Sequence, residues 1–161
     1  MSGKTSLVAE LVRAGATYYS DEYAVLDLGG RVHPYPQPLA IRRPGSSLQK
    51  KRQAEDLGGV VGSKPLPVGL VVASRYEKGG RWRPERQSVG QAVLELLQNT
   101  IPARRNPEVV IQSLKSAVST AIFLKGMRGE ARETARLILE EVEKRGAPVD
   151  YFWSPANLTA H

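Results

Sequence analysis

The chain carries Ser2-Gly3-Lys4-Thr5-Ser6-Leu7 near its start, a grouping whose members could together hold a chain of phosphates. The full phosphate-binding pattern is G-x-x-x-x-G-K-[ST]. In it a glycine-rich turn aims backbone N–H groups at phosphate oxygens, a lysine reaches the β- and γ-phosphates, and a hydroxyl meets Mg²⁺. Gly3, Lys4 and Thr5 supply the last three elements, with Ser2 and Ser6 on either side. The first glycine and its feeding strand would precede Met1, so the sequence reads as a domain truncated at its N-terminus.

A loop of this kind needs a helix directly behind it, because the free N–H groups of the first helical turn complete the anion site. Leu7, Val8, Leu11 and Val12 recur at helical spacing, Glu10 and Arg13 lie between them, and Gly15 stops the run. The plainer alternative is a capped surface helix with an ordinary exposed lysine.

Composition limits what else the chain can be. Its 161 residues suit one domain with a real core, and 41% of them are hydrophobic. No apolar run approaches membrane length and no secretion signal opens the chain, so a cytoplasmic location and no membrane partner are expected. Cysteine is absent, which removes disulfides and thiolate metal sites, and the two histidines, His33 and His161, cannot build a histidine zinc site alone. Lys and Arg outnumber Asp and Glu by 23 to 16, a net charge of +7. That balance attracts polyanions. The basic clusters at Arg42-Arg43, Lys50-Lys51-Arg52, Arg81 to Arg86 and Arg104-Arg105 fall in expected loops and lack the aromatic interleaving of a base-stacking platform. A dedicated nucleic-acid module is therefore not favoured.

Further along, Tyr23 to Leu28 alternates toward a strand, Gly29-Gly30 is a turn, and Val32 to Tyr35 begins a second extended piece. Pro34, Pro36 and Pro38 keep the backbone extended up to Leu39-Ala40-Ile41-Arg42. Pro44 to Pro67 is rich in Gly, Ser, Lys, Gln and Pro and reads as a long mobile loop, with Lys50-Lys51-Arg52 either a solvated face or a flap on phosphate. Val68 to Ser74 is nearly continuously apolar, as in a strand covered on both faces. Tyr76 to Pro84 reads as a polar turn. Ser88 caps a helix with Val89, Ala92, Val93, Leu96 and Leu97 on one face. Asn106-Pro107-Glu108 starts another, with Val110, Ile111, Leu114, Ala117 and Val118 inward. Thr120 to Lys125 is an expected strand, Gly126 to Gly129 a turn, and Glu130 to Arg145 a helix ended by Gly146 and Pro148. A short strand at Val149 to Trp153 closes a single domain over 1–153, and 154–161 reads as a tail.

The order of these motifs resembles that of the HPr kinase-related proteins, within the phosphoenolpyruvate-carboxykinase-like class of P-loop enzymes. The specific part is the first 42 residues: the Gly-Lys-Thr helix, Gly15-Ala16, Tyr19-Ser20-Asp21-Glu22-Tyr23, and Val32-His33-Pro34-Tyr35-Pro36-Gln37-Pro38-Leu39. The remainder is similar in layout, and Ala121-Ile122-Phe123-Leu124 before a helix fits the branch often associated with peptide maturation.

The resemblance implies an α/β fold with a mixed sheet and flanking helices, and an ATP-binding protein that passes the γ-phosphate to a protein or peptide hydroxyl. It implies ATP and Mg²⁺ as cofactors. Ser2, Gly3, Lys4, Thr5 and Ser6 would bind the nucleotide; Lys4 would neutralise phosphate charge and Thr5 would ligate the metal. Asp21-Glu22 stands where the family places adjacent acids, one helping to hold Mg²⁺ and the other accepting a proton. Asp21 is the preferred base, while the division of metal-binding between Asp21 and Glu22 stays open. Arg42 matches the family arginine and would contact phosphate, but Ala40 stands where the bacterial kinases carry a glutamate. Family enzymes often assemble, which leaves a homo-oligomer open. Two other classes remain: a nucleotide-binding regulatory or structural domain without catalysis, and a basic nucleic-acid-binding domain.

Overall fold

A computed structural model describes residues 3–42 and 48–144; of Arg42 it describes the backbone alone. The expected strand at 149–153, the tail at 154–161, and Ser2 lie outside the described residues.

The fold is mixed α/β, with helices on both faces of its main sheet. That sheet consists of β6 (Leu70–Tyr76), β7 (Glu85–Gln87) and β8 (Ile122–Arg128), with β8 in the middle, parallel to β6 and antiparallel to β7. The side-chain period of two divides β6 cleanly. Leu70 and Val72 pack with Leu7 and Leu11 of helix α1 (Lys4–Arg13) and with Ala135 and Ile138 of α4 (Ala131–Lys144). Val71 and Ala73 face the other way, toward Ala92 and Leu96 of α2 (Val89–Gln98), Val118 of α3 (Pro107–Val118), and Phe123. This two-sided covering is what the apolar run around 68–74 led one to expect.

The remaining strands form smaller sheets beside α1. β1 (Val25–Leu26), β2 (Arg31–His33) and β5 (Leu66–Pro67) make an antiparallel set with β2 central. β3 (Leu39–Arg42) pairs with β4 (Gln49–Arg52). Ala9 and Val12 of α1 meet Tyr18, Leu39 and Ala54 in a separate buried cluster, and Leu39 is wholly buried.

Several boundaries differ from the sequence reading. The 44–67 segment, expected as a loop, contains β4, a 3-10 turn at Glu55–Leu57 and β5, apart from 43–47, which lie outside the described residues. All four residues of β4 are exposed, so its pairing to β3 rests on backbone hydrogen bonds and leaves no apolar stripe to read. Lys50-Lys51-Arg52 therefore lies on a strand, Arg86 lies within β7 and Arg104 within a 3-10 turn. The sequence between 23 and 28 forms only the two-residue β1. Val89 and Ile111, expected inward, are exposed. The strand expected to end at Lys125 continues through Gly126 to Arg128, because the backbone of Pro84 packs so closely on Gly126 that a Cβ there would lie 3.0 Å from the Pro84 Cα.

Candidate functional site

The N-terminus of α1 and the carboxyl ends of the parallel strands β6 and β8 meet at one place. Tyr76 and Arg128, the last residues of those strands, are paired in register. The Arg128 Nη2 donates to the Gly3 carbonyl at 2.8 Å. Gly3 adopts the left-handed conformation (φ 63°, ψ 24°), and its carbonyl also accepts the Leu7 N–H that starts the helix. Among the described residues no side chain caps this helix, and its first turn holds no acid of its own. Lys4 and Ser6 are exposed and Thr5 is half-buried.

Asp21 is brought to this helix start from the bend that follows Tyr18. Its carboxyl lies beside Thr5, whose hydroxyl favours the charged form, and it feels the charges of Lys4 and Glu22. Burial pushes its carboxyl above the ordinary range, and the Glu22 charge adds to this; Thr5 and Lys4 oppose it. One oxygen, Oδ1, is buried without a hydrogen-bond partner. A buried carboxylate oxygen left without a partner is costly. Glu22 is exposed beside it.

Three of the sequence-derived residues, Lys4, Thr5 and Asp21, are thus gathered, and Gly3 and Glu22 adjoin them. Arg42 ends β3, on the side of α1 held by Leu39, and its side chain lies outside the described residues, as does Ser2. The donor set of one hydroxyl and one or two carboxylates matches what Mg²⁺ takes when phosphate oxygens and water supply the rest. Among the described residues no group of three or more His, Cys, Asp or Glu is placed to hold a metal by itself. A metal here would therefore depend on ligands brought by the nucleotide.

Two residues at the site escaped the sequence reading. Tyr18 is buried next to Asp21; burial first and then the Asp21 charge raise the phenol's pKa, and its hydroxyl donates to the Gln37 carbonyl at 2.7 Å. Arg128 is the other, hidden by the turn expected at 126–129. Two open clefts elsewhere, one of about 240 Å³ lined by residues including Gln91, Glu95 and Lys125 and one beside Ile111 and Lys115, do not border Lys4 or Asp21. Among the described residues no helix is long and apolar enough to cross a membrane. No protein-family model, curated protein or solved structure matches the chain.

Proposed function

We propose that this chain is an ATP-binding domain of the HPr kinase-related type, with a phosphoenolpyruvate-carboxykinase-like P-loop fold, that transfers the γ-phosphate of ATP to a protein or peptide hydroxyl. The observation that carries the reading is the placement of Asp21 against Thr5 and Lys4, with Oδ1 buried and unpartnered. A capped surface helix with a stray lysine gives no reason for a half-buried acid at that point. The location supports the same reading, since open α/β sheets bind ligands beyond the carboxyl ends of parallel strands.

The N–H groups at the start of α1 and the Lys4 ammonium receive the phosphate chain. Thr5 and Glu22 would hold Mg²⁺, which when bound would supply positive charge to offset that of the phosphates. Asp21 takes the proton from the acceptor hydroxyl as its oxygen attacks the γ-phosphorus. The bond to the β,γ-bridging oxygen breaks and ADP leaves. The raised pKa of Asp21 suits this role, because a base works best when its pKa approaches the working pH.

The test pairs binding with turnover on the full chain. Calorimetry with ATP and Mg²⁺ should show binding in the wild type that Lys4→Ala largely abolishes, since a compact ammonium charge is lost. Asp21→Asn should retain most of the binding while γ-phosphate transfer to a panel of hydroxyl peptides falls about a hundredfold or more. Equal ATP affinity in wild type and Lys4→Ala would remove the phosphate-loop reading. Binding without transfer to any acceptor would leave a nucleotide-binding domain without catalysis.

A further inference from the structure

Arg128 and Thr134 are the two buried polar side chains among the described residues, and Arg128 is the charged one, 2% exposed. Its guanidinium is held on several sides. Nη1 donates to the Gly129 carbonyl at 3.0 Å, Nη2 donates to the Gly3 carbonyl at 2.8 Å, and its carbon lies 5.5 Å from the centre of the Tyr76 ring. Tyr76 in turn donates its hydroxyl to Glu130 at 3.0 Å. Gly129 is pressed so closely on Gly80 that a Cβ would lie 2.1 Å from the Gly80 carbonyl oxygen, so the turn behind the arginine has little room to shift. Burial disfavours the charged form of Arg128, and nearby Glu130 and Tyr76 offset this. Taking a guanidinium out of water is expensive, and a hydrophobic strand end would have served packing alone.

The partner at the end of this arrangement is the Gly3 peptide, in the closing part of the proposed phosphate loop. Gly3 has no Cβ, and one placed there would lie 2.5 Å from Nη2. The carbonyl of Gly3 therefore points at the arginine, and the N–H groups that follow point the other way along α1, where phosphate would sit. We infer that Arg128 is a positioning residue for nucleotide binding: it ties the Gly3 carbonyl to the end of β8 and so fixes the first turn of α1 in its anion-receiving orientation. The inference rests on the proposed phosphate loop. It adds a fixed cation behind that loop, contributed by a strand distant in sequence, which nothing in the Gly-Lys-Thr pattern foretells.

Because the loop holds the phosphates alike before and during transfer, losing Arg128 should act on affinity more than on turnover. The experiment measures Mg-ATP affinity by calorimetry, and KM and kcat for phosphate transfer, on wild type, Lys4→Ala, Arg128→Gln and Arg128→Lys, each checked for folding by circular dichroism. Arg128→Gln should weaken ATP binding and raise KM by roughly tenfold or more, the usual range for a residue that orients a ligand group, with kcat within about twofold of wild type. Arg128→Lys, which keeps the charge and one donor, should recover part of the affinity.

NMR of the Arg128 side-chain N–H in the wild-type protein supplies a readout that no variant's folding can obscure; this signal should shift on addition of Mg-ATP. ATP binding by wild type but not Lys4→Ala, together with wild-type affinity in Arg128→Gln, overturns this inference and leaves the phosphate loop standing. An unmoved Arg128 signal in the ATP-bound wild type overturns it equally. If the wild type binds no ATP, the loop reading and this inference fall together.

Discussion

The Asp21 carboxyl lies beside Thr5, whose hydroxyl favours its charged form, although the 14–20 connection separates the two in the chain. This contact costs the resting protein something. Desolvation is the largest influence on Asp21 and raises its pKa, with Thr5 and Lys4 only partly compensating. The site therefore holds a carboxylate at some expense to stability, a common trade at functional positions.

The sign of that cost can be checked by pH. The folded state binds the Asp21 proton more tightly than the unfolded chain does, so stability declines as pH rises from the ordinary carboxyl value of 3.8 through the raised pKa. Asp21→Asn removes the charge and should raise Tm at neutral pH by roughly a degree or two, and should flatten the decline in that acidic-to-neutral window. Thermal melts of both proteins from pH 4 to pH 8 measure it. A variant that melts lower than wild type at neutral pH would show that Thr5 and Lys4 outweigh burial.

A second prediction concerns how the small β1–β2 sheet is held. Gly30 (φ 76°) ends the turn after β1 with its N–H on the Asp27 carbonyl, and a Cβ there would fall 2.1 Å from the Ala117 amide nitrogen of α3. Both the backbone conformation and the contact exclude a side chain. Gly30→Ala should cost about 2–4 kcal/mol, read by urea unfolding, whereas Gly58→Ala, also at positive φ but with open space around it, should cost about 1 kcal/mol. Equal losses would mean that backbone strain alone governs both positions.

The basic excess gives a third. Lys50, Lys51 and Arg52 are exposed along β4. Three such charges on a polyanion give a salt slope of only about −3 on B-DNA. Binding to an unrelated duplex should therefore be weak at low salt and vanish near physiological salt in a fluorescence anisotropy titration. Tight binding that survives physiological salt would favour the nucleic-acid reading over the kinase.

What could be read from sequence follows from where the physical signal is local. The four helices and β6 announce themselves, because an amphipathic stripe or a two-sided apolar run is written in consecutive residues; Ser88 with Gln91 even forms the reciprocal capping box that its position promises. β4 has no such stripe, since its order comes from its register with Leu39–Arg42. The gathering of Lys4, Thr5 and Asp21 was legible only through the order of motifs, not from any spacing rule. Arg128 was not legible at all. Gly126 and Gly129 mark a turn by composition, yet Gly126 lies within the strand because Pro84 approaches it, and only the three-dimensional fold carries the arginine to Gly3.

The final prediction divides the two adjacent acids. Asp21 is half-buried against Thr5, while Glu22 is exposed and acts on it through its charge. If Glu22 serves the metal and Asp21 the proton, their amide variants should fail differently. Glu22→Gln keeps the shape but offers a poorer ligand to a hard cation. It should raise the Mg²⁺ concentration needed for half-maximal phosphate transfer by roughly tenfold, and saturating Mg²⁺ should restore most of the rate. Asp21→Asn should stay slow at every Mg²⁺ concentration, because added metal cannot replace a proton acceptor. Transfer assays across a Mg²⁺ series on both variants settle the division. Rescue of Asp21→Asn by Mg²⁺, with Glu22→Gln unresponsive, would exchange the two roles and make Asp21, through its contact with Thr5, the metal-holding residue.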